Sequence, residues 1–186
     1  HPSFTMNSTT SRRAGNDSAL AAIVVLLTLC YHAATGFQTL VAAGGDNDSL
    51  LRMVEVRDLI GGQGWFDLHQ YRMGPDGGFV MHWSRFVDAP LAAIVLAVSA
   101  VTGSIATGEV VAQVAWPMLL MWLALATLLR IARRMDPDWS ALPMLTVGGT
   151  SLYFIGVFKP GDIDHHNVQL VLTLVAVAAL ATSQGF

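Results

Sequence analysis

The stretch Gly161-Asp162-Ile163-Asp164-His165-His166-Asn167 lies between two apolar runs, each about long enough to cross a bilayer. Charged side chains at or within a membrane are costly unless they are paired, hydrated or bound to metal, so this cluster indicates a functional site. A similar group, Gly45-Asp46-Asn47-Asp48, closes the first apolar run. Whether these two acidic segments face each other decides which function the sequence supports.

The composition is that of a polytopic membrane protein. Hydrophobic residues make up 53% of the 186 residues and charged residues 12%, against roughly 25% charged residues in soluble domains. The formal net charge of -3 and the lack of a Lys/Arg-rich tract exclude nucleic acid as a partner. The single cysteine, Cys30, lies in an apolar run, which excludes a disulfide framework and a cysteine metal site.

Hydropathy alone allows five membrane spans. Runs without Asp, Glu, Lys or Arg cover residues 18–45, 89–108, 110–129, 139–158 and 167–186, and each is about 20 residues or longer, as a span requires.

The basic residues favour four spans. By the positive-inside rule, Arg12 and Arg13 place the N-terminus in the cytoplasm, and the cluster 130–134 should lie there too. An even number of crossings must then separate them. The run 89–108 is small and weakly apolar, so we predict that it lies in the interface or re-enters, with five spans as the alternative.

The chain then divides into four parts. Residues 1–17 are tag residues and a cytoplasmic N-terminus, with Met6 as a candidate native start, and residues 18–45 form the first membrane helix. Residues 46–109 form a long external loop with interfacial helices. Residues 110–186 form three further membrane helices, with an external Asp-x-Asp loop at 159–167.

Within the long loop, helix-forming residues predict a helix over 49–60. Asp48 or Ser49 is its expected N-cap, and Gly61-Gly62 is its expected stop. Glycine and proline predict turns at 61–64 and 73–78.

The acids suit a hard divalent cation. Two acids at i, i+2 in an irregular segment can hold Mg²⁺ or Mn²⁺, which take oxygen ligands and retain waters that leave room for a phosphate. Both Asp46-Asn47-Asp48 and Asp162-Ile163-Asp164 fit this pattern. His165 and His166 are candidates for contact with a phosphate, and the alternative is a pair of hydrated interfacial histidines.

Arginines of the long loop are candidates for binding an anionic substrate, because guanidinium groups give forked, charge-assisted contacts to phosphates. These are Arg52, Arg57 and Arg85. The alternative is that they form ordinary ion pairs with neighbouring acids, namely Glu55, Asp58 and Asp88.

These features resemble the membrane glycosyltransferases of superfamily C (GT-C). The resemblance rests on a first helix ending in Gly-Asp-x-Asp at 45–48, a long external loop containing helices, and an Asp-x-Asp at 162–164 before the fourth helix. The layout looks most like the N-terminal part of the catalytic subunit of oligosaccharyltransferase. The segment 83–90, Trp-Ser-Arg-Phe-Val-Asp-Ala-Pro, is similar to the part of the first loop that leads into its last helices in bacterial relatives.

The resemblance implies transfer of a sugar or oligosaccharide from a polyprenyl-phosphate or pyrophosphate donor to a protein, glycan or lipid acceptor. It implies an inner (plasma) membrane protein with its active face outside. Asp46 would be the catalytic base or acceptor-orienting carboxylate, and Asp46, Asp162 and Asp164 would bind a divalent metal. Arg57, Arg85, His165 and His166 would contact the donor phosphate. Some members of the superfamily work without a metal, and basic side chains then replace the cation.

Members of this family carry about a dozen membrane helices and often an acceptor-binding domain, so we expect this chain to be a fragment of a longer one.

Two alternatives from other classes stay open. One is a transporter or ion-path module, which predicts acids within helices or five spans and a Glu109 buried between two spans. The other is a non-catalytic membrane subunit. The transferase hypothesis places Glu109 near the end of the last helix of the loop.

Overall fold

The computed structural model describes residues 6–40, 46–136, 138 and 140–183. Within these residues the chain forms six α-helices and one short antiparallel ribbon, in which His69 pairs with Val80. The predicted all-α class is therefore confirmed. The elements are α1 (Met6–Ala34), α2 (Asn47–Ile60), β1 (His69–Gln70), β2 (Phe79–Val80), α3 (Arg85–Thr102), α4 (Ile105–Met135), α5 (Ala141–Ile155) and α6 (His166–Ser183).

Three helices in the described part of the chain are long and apolar enough to cross a membrane: Asn16–Ala34 within α1, Arg85–Thr102 (α3) and Ile105–Met135 (α4). The apolar helices α5 and α6 are shorter. A membrane-embedded protein is compatible with these lengths. The division into four spans stays a prediction, because length and composition alone do not fix which helices cross.

The sequence predicts that the run 89–108 lies in the interface or re-enters. Most of it belongs to the continuous helix α3, which is long and apolar enough to be a candidate span, so its place relative to the membrane stays a prediction. The run is broken at Gly103, which adopts a left-handed conformation (φ 71°) and donates its N–H to the Ser99 carbonyl as a helix C-cap. Helix α4 then begins at Ile105, so Glu109 lies in its second turn rather than near the end of the preceding helix.

The described residues divide into two compact units. The first comprises residues 6–38, 117–159 and 166–183, and so contains α1, the part of α4 after Pro117, α5 and α6. In this unit Arg133 Nη2 pairs with Asp17 Oδ1 at 3.0 Å. Helix α1 ends at Ala34, earlier than the predicted 45, and residues 41–45, including Gly45, lie outside the described residues.

Three further predictions fall on or beside residues that the structure does not describe. The expected tag residues 1–5 lie outside the described residues, as does Trp139 at the start of the predicted third span. The helix expected over 139–158 is α5, from Ala141 to Ile155. The helix expected over 167–186 is α6, and its predicted end at 184–186 also lies outside the described residues.

The second unit comprises residues 39–116 and 160–165, and it carries the candidate site. Helix α2 packs against α3 in this unit. Met53 and Val56 of α2 and Leu91 and Val95 of α3 are fully buried. Burial of such side chains stabilises the fold by roughly 1.5–3 kcal/mol each, so this pairing fixes α2 on the rest of the unit.

The helix predicted over 49–60 is confirmed in α2, with Gly61 as its C-cap. Its N-cap was wrong, because the helix starts two residues earlier and is capped by Asp46 instead of Asp48 or Ser49. All three residue types are good N-caps, so propensity alone does not choose between them. The predicted turns at 61–64 and 73–78 lie between regular elements, as expected.

Candidate metal centre

The start of α2 fixes the first group of acids. Asp46 is extended (φ −66°, ψ 159°), and its Oδ1 accepts hydrogen bonds from the backbone N–H groups of Asp48 and Ser49, at 2.9 and 3.0 Å. This is an N-cap, which satisfies donors that a helix start leaves without partners. The cap also holds the Asp46 and Asp48 carboxylates at the positive end of the helix dipole, where negative charge is stabilised.

The second acidic segment, residues 160–165, is tied to the same place by its backbone. The Ile163 N–H donates to Ser49 Oγ at 3.1 Å in a buried hydrogen bond. Gly161 has a positive φ of 96°, and a Cβ added there would overlap the Thr39 carbonyl oxygen. Only glycine satisfies both conditions without strain, so Gly161 sets the path of the segment toward α2.

The two acidic segments converge. One carboxylate oxygen from each of Asp46, Asp48 and Asp164 lies within 4.8 Å of the other two. We call these three residues the acidic cluster. Asp46 and Asp48 are exposed, whereas Asp164 is only 6% exposed. Like charges about 4 Å apart repel by roughly 1 kcal/mol in water and about 4 kcal/mol near a protein surface, so a cation bound among them would relieve this repulsion.

The acidic cluster differs in one member from the ligand set expected from the sequence. Asp46 and Asp164 belong to it, but Asp48 stands where Asp162 was expected. Asp162 is buried in the same segment and is not a member of the cluster within the described residues. Asp48 follows Asp46 by two residues in the sequence. Because α2 starts at Asn47, the first turn of the helix brings the Asp48 carboxylate beside that of Asp46.

The cluster suits a hard divalent cation. Carboxylate oxygens are the ligands that Mg²⁺ and Mn²⁺ prefer, and both ions keep waters that a substrate oxygen can replace. Two of the three carboxylates are exposed, which leaves one side of such an ion open. The donor set therefore fits the metal that the resemblance implies.

The two histidines lie in different surroundings. The half-buried His165 ring lies 5.5 Å, centroid to centroid, from the buried Trp83 ring, at a tilt of 50°. His166 is exposed and is the first residue of α6, in the other unit. Contact of either ring with a donor phosphate stays a prediction.

Arg57 is held by an acid at the start of α4. Its Nε and Nη2 donate to the two carboxylate oxygens of Glu109, at 2.7 and 2.6 Å. These hydrogen bonds raise the pKa of Arg57. The Arg57 side chain is 53% exposed, so it stays accessible, but any phosphate it binds must share the guanidinium with Glu109.

Arg85 belongs instead to a buried ion network between α2 and α3. Its Nη1 lies 3.1 Å from Asp88 Oδ2, and Arg52 Nη1 lies 2.6 Å from Asp88 Oδ1 and 3.1 Å from Glu55 Oε2. Both arginines are buried, at 3% and 0% exposure. The structure thus shows the ion-pair alternative for Arg52 and Arg85. The sequence pattern that indicates these pairs is the i, i+3 spacing of Arg52 with Glu55 and of Arg85 with Asp88.

The network also perturbs one carboxyl group. Burial, and then the nearby Asp88 carboxylate, raise the pKa of Glu55 to about 7. The Arg52 guanidinium carbon lies 4.4 Å from the centroid of the Trp83 ring, the same ring that contacts His165. A line of contacts therefore joins the buried ion network to the segment that carries Asp164.

Comparison with models of known protein families, with curated proteins and with solved structures finds no match for this chain. Its class is therefore defined by its own residues. It is an all-helical protein with apolar helices compatible with a membrane, and it carries three clustered carboxylates suited to a hard divalent cation.

Proposed function

We propose that this chain is an integral-membrane glycosyltransferase, or the N-terminal part of one, that transfers a sugar or oligosaccharide from a polyprenyl-phosphate or pyrophosphate donor. The observation that supports this proposal most is the convergence of Asp46, Asp48 and Asp164 from two separate segments. The resemblance implies one acid of the first external loop and the Asp-x-Asp of the second, whereas the cluster takes two acids from the first segment and one from the second.

Each residue of the cluster has a separate part. Asp48 and the buried Asp164 would hold the divalent cation, which supplies neutralisation of the charge that develops on the leaving phosphate. Asp46 is exposed and fixed by its capping hydrogen bonds, so it can orient the acceptor and take its proton. Arg57 lies near the other end of α2, roughly 15 Å from Asn47 at 1.5 Å per residue, so it is out of reach of a phosphate at the acidic cluster, and Arg85 is proposed to hold α2 against α3.

An apolar groove beside the cluster supports a lipid-linked donor. It has a volume of about 400 Å³ and follows one face of α2, whose residues recur at helical spacing. From Asn47 to Arg57 this face extends roughly 15 Å along the helix axis, at 1.5 Å per residue. A polyprenyl chain can lie along this face with its phosphate at the acidic cluster. The lining residues are Asn47, Leu50, Leu51, Val54, Arg57, Gln70, Arg72 and Met73.

The positions of the acids also bear on the transporter alternative, which predicts acids inside membrane helices. Asp46 precedes α2 and Asp164 precedes α6, so both lie outside helices. Asp88 and Glu109 do lie in the candidate spans α3 and α4, but near their first turns, where they pair with Arg52 and Arg57. An ion path through the membrane requires charges along a span, whereas a site at helix ends suits a substrate that approaches from the membrane surface.

The test is binding and turnover of a tritium-labelled polyprenyl-phosphate glucose by the detergent-purified chain with and without Mn²⁺. We expect Mn²⁺-dependent retention of the donor, lost in Asp164→Asn and preserved in Asp76→Asn, which makes the same change in an exposed turn. Equal donor binding by both variants would contradict the proposal. If Asp164→Asn loses donor binding but the wild type shows no turnover of the bound donor, the transfer step would be assigned to a longer chain.

The proposed orientation has its own test. A short epitope inserted at 74–78, a turn of the second unit, should be labelled from outside intact cells. Protection of the epitope until the membrane is permeabilised would place the acidic cluster on the cytoplasmic side and overturn the external active face.

A further inference from the structure

A second cavity of the same unit lies between the last turn of α2 and the ribbon. Its volume is about 340 Å³, within the range of small-molecule sites, roughly 300–1,000 Å³. No member of the acidic cluster lines it. Its polar lining is formed by Arg57, Asp58, Gln63, Asp67, Gln70 and Arg72.

Gln70 is the side chain of this cavity whose surroundings point to a ligand. It is 1% exposed, and its Nε2 has no hydrogen-bond partner among the described residues. A buried amide without an acceptor is costly, because it has lost its hydrogen bonds to water. Gln70 belongs to β1, where pairing with Phe79 fixes its backbone but not its amide, so rotation of the side chain toward the cavity would let a bound ligand with an oxygen acceptor remove the cost.

The charges around the cavity are balanced. The Arg57 guanidinium is held by Glu109, and Arg72 Nη2 lies 3.9 Å from Asp58 Oδ1. Asp67 adds a second carboxylate to the lining. Two guanidinium groups facing two carboxylates give no excess positive charge, so the cavity is poorly suited to a phosphate.

The ligand that fits is a neutral molecule with many hydroxyl groups, because a hydroxyl both donates and accepts. The carboxylates of Asp58 and Asp67 can accept from such hydroxyls, while the Gln70 amide and Arg72 donate to them. Tyr71 lines the same cavity, with its ring stacked on His69 at 4.2 Å between centroids and its side chain largely exposed. An aromatic ring offers a surface for the C–H groups of a pyranose.

We propose that this cavity is a saccharide-binding site, in which the Gln70 side chain turns toward the cavity and its Nε2 donates a hydrogen bond to a sugar hydroxyl. The site lies apart from the acidic cluster and needs no metal, but Arg57, Gln70 and Arg72 line both this cavity and the apolar groove proposed for the donor lipid. Sugar binding is therefore measured with no lipid-linked donor present, so that its failure and the failure of donor binding are distinguishable.

The test is saturation-transfer NMR on the purified chain in detergent, with a chelator present. The probes are glucose, galactose, mannose and N-acetylglucosamine, with inorganic phosphate as the anionic comparison. We expect at least one sugar to bind and phosphate not to compete with it. Binding should weaken about fivefold to tenfold in Gln70→Leu and in Arg72→Gln, the loss of roughly one hydrogen bond.

The variants keep the proposal falsifiable. Gln70 is buried, so Gln70→Leu is accepted only if its unfolding temperature stays near that of the wild type. Arg72 is 72% exposed, so we expect its replacement to leave the fold intact. Asp76→Asn, in the exposed turn, is the control and should bind as the wild type does. Absence of binding by all four sugars, competition by phosphate, or unchanged binding in Arg72→Gln would overturn the proposal.

Discussion

Asp164 and Asp46 place carboxylate oxygens within 4.8 Å of each other, although Asp46 precedes α2 and Asp164 precedes α6. The backbone, rather than the carboxylates, brings them together. Asp46 is held by its bonds to the first turn of α2, and the segment of Asp164 is held by the bond from the Ile163 N–H to Ser49 Oγ. The fold therefore maintains a repulsive arrangement of charge, which is typical of a cation site.

Replacing Asp46 separates its capping role from its charge. Asp46→Asn keeps a side-chain oxygen that can cap α2, so we expect little change in stability but weaker Mn²⁺ binding. Asp46→Ala removes both roles and should also cost about 0.5–2 kcal/mol of stability. Thermal unfolding and calorimetry on both variants check this. Equal stability of the two variants would show that the cap contributes nothing.

The buried ion network should be far more sensitive than the exposed pair. Asp88→Ala leaves the buried Arg52 and Arg85 without their shared carboxylate, so we expect a loss of about 3–5 kcal/mol. The matched control is Arg57→Ala, which breaks a partly exposed pair with Glu109 and should cost about 1 kcal/mol or less. Unfolding by denaturant measures both, and similar losses would argue against a buried network.

Glu55 should make stability depend on pH. Its pKa rises from 4.5 to about 7 on folding, so the folded state holds a proton that the unfolded state releases between these values. Stability should therefore be greatest below pH 4.5 as far as this group is concerned, and should fall by up to about 3 kcal/mol as the pH rises through about 7.

The check is the unfolding temperature across this pH range for the wild type and Glu55→Gln, which does not titrate. We expect the variant to lose this fall, while Asp76→Asn follows the wild type. Parallel curves for the wild type and Glu55→Gln would show that Glu55 has an ordinary pKa.

Gly161 and Gly77 form a matched pair, with φ values of 96° and 97°. Alanine at Gly77 meets nothing within 4 Å and should cost only the backbone strain, about 1–2 kcal/mol. Alanine at Gly161 would also overlap the Thr39 carbonyl, so it should cost more and displace the segment that carries Asp164. We expect loss of Mn²⁺ binding in Gly161→Ala alone. Retained binding there would show that the segment is not positioned by this glycine.

Local signals in the sequence predict much of the fold. Composition predicts the all-α class, and Gly61-Gly62 predicts the end of α2. The break at Gly103 was missed because the run from 89 to 108 carries no charge, and a helix end within an apolar run depends on backbone conformation. The choice of Asp46 as N-cap among three suitable residues likewise depends on where α2 docks.

The candidate site is only partly predictable from the sequence. Its two acidic segments stand out because charge next to apolar runs is costly. Which acid of each pair joins the cluster depends on the path of the chain. Asp48 belongs to the cluster and Asp162 does not, because the Ile163 N–H is anchored on Ser49 and α2 starts early, at Asn47. The ion network joins α2 to α3, so its tertiary pairs are not encoded in any local pattern.

Calorimetric titration of Mn²⁺ into the purified, metal-free chain tests the acidic cluster most directly. We expect binding that weakens at least about tenfold in Asp164→Asn and in Asp48→Asn, a change of about 1.4 kcal/mol or more. Asp162→Asn should change it less, and Asp76→Asn should leave it unchanged. Equal Mn²⁺ binding by the wild type and Asp164→Asn, or a larger loss in Asp162→Asn than in Asp48→Asn, would contradict the account.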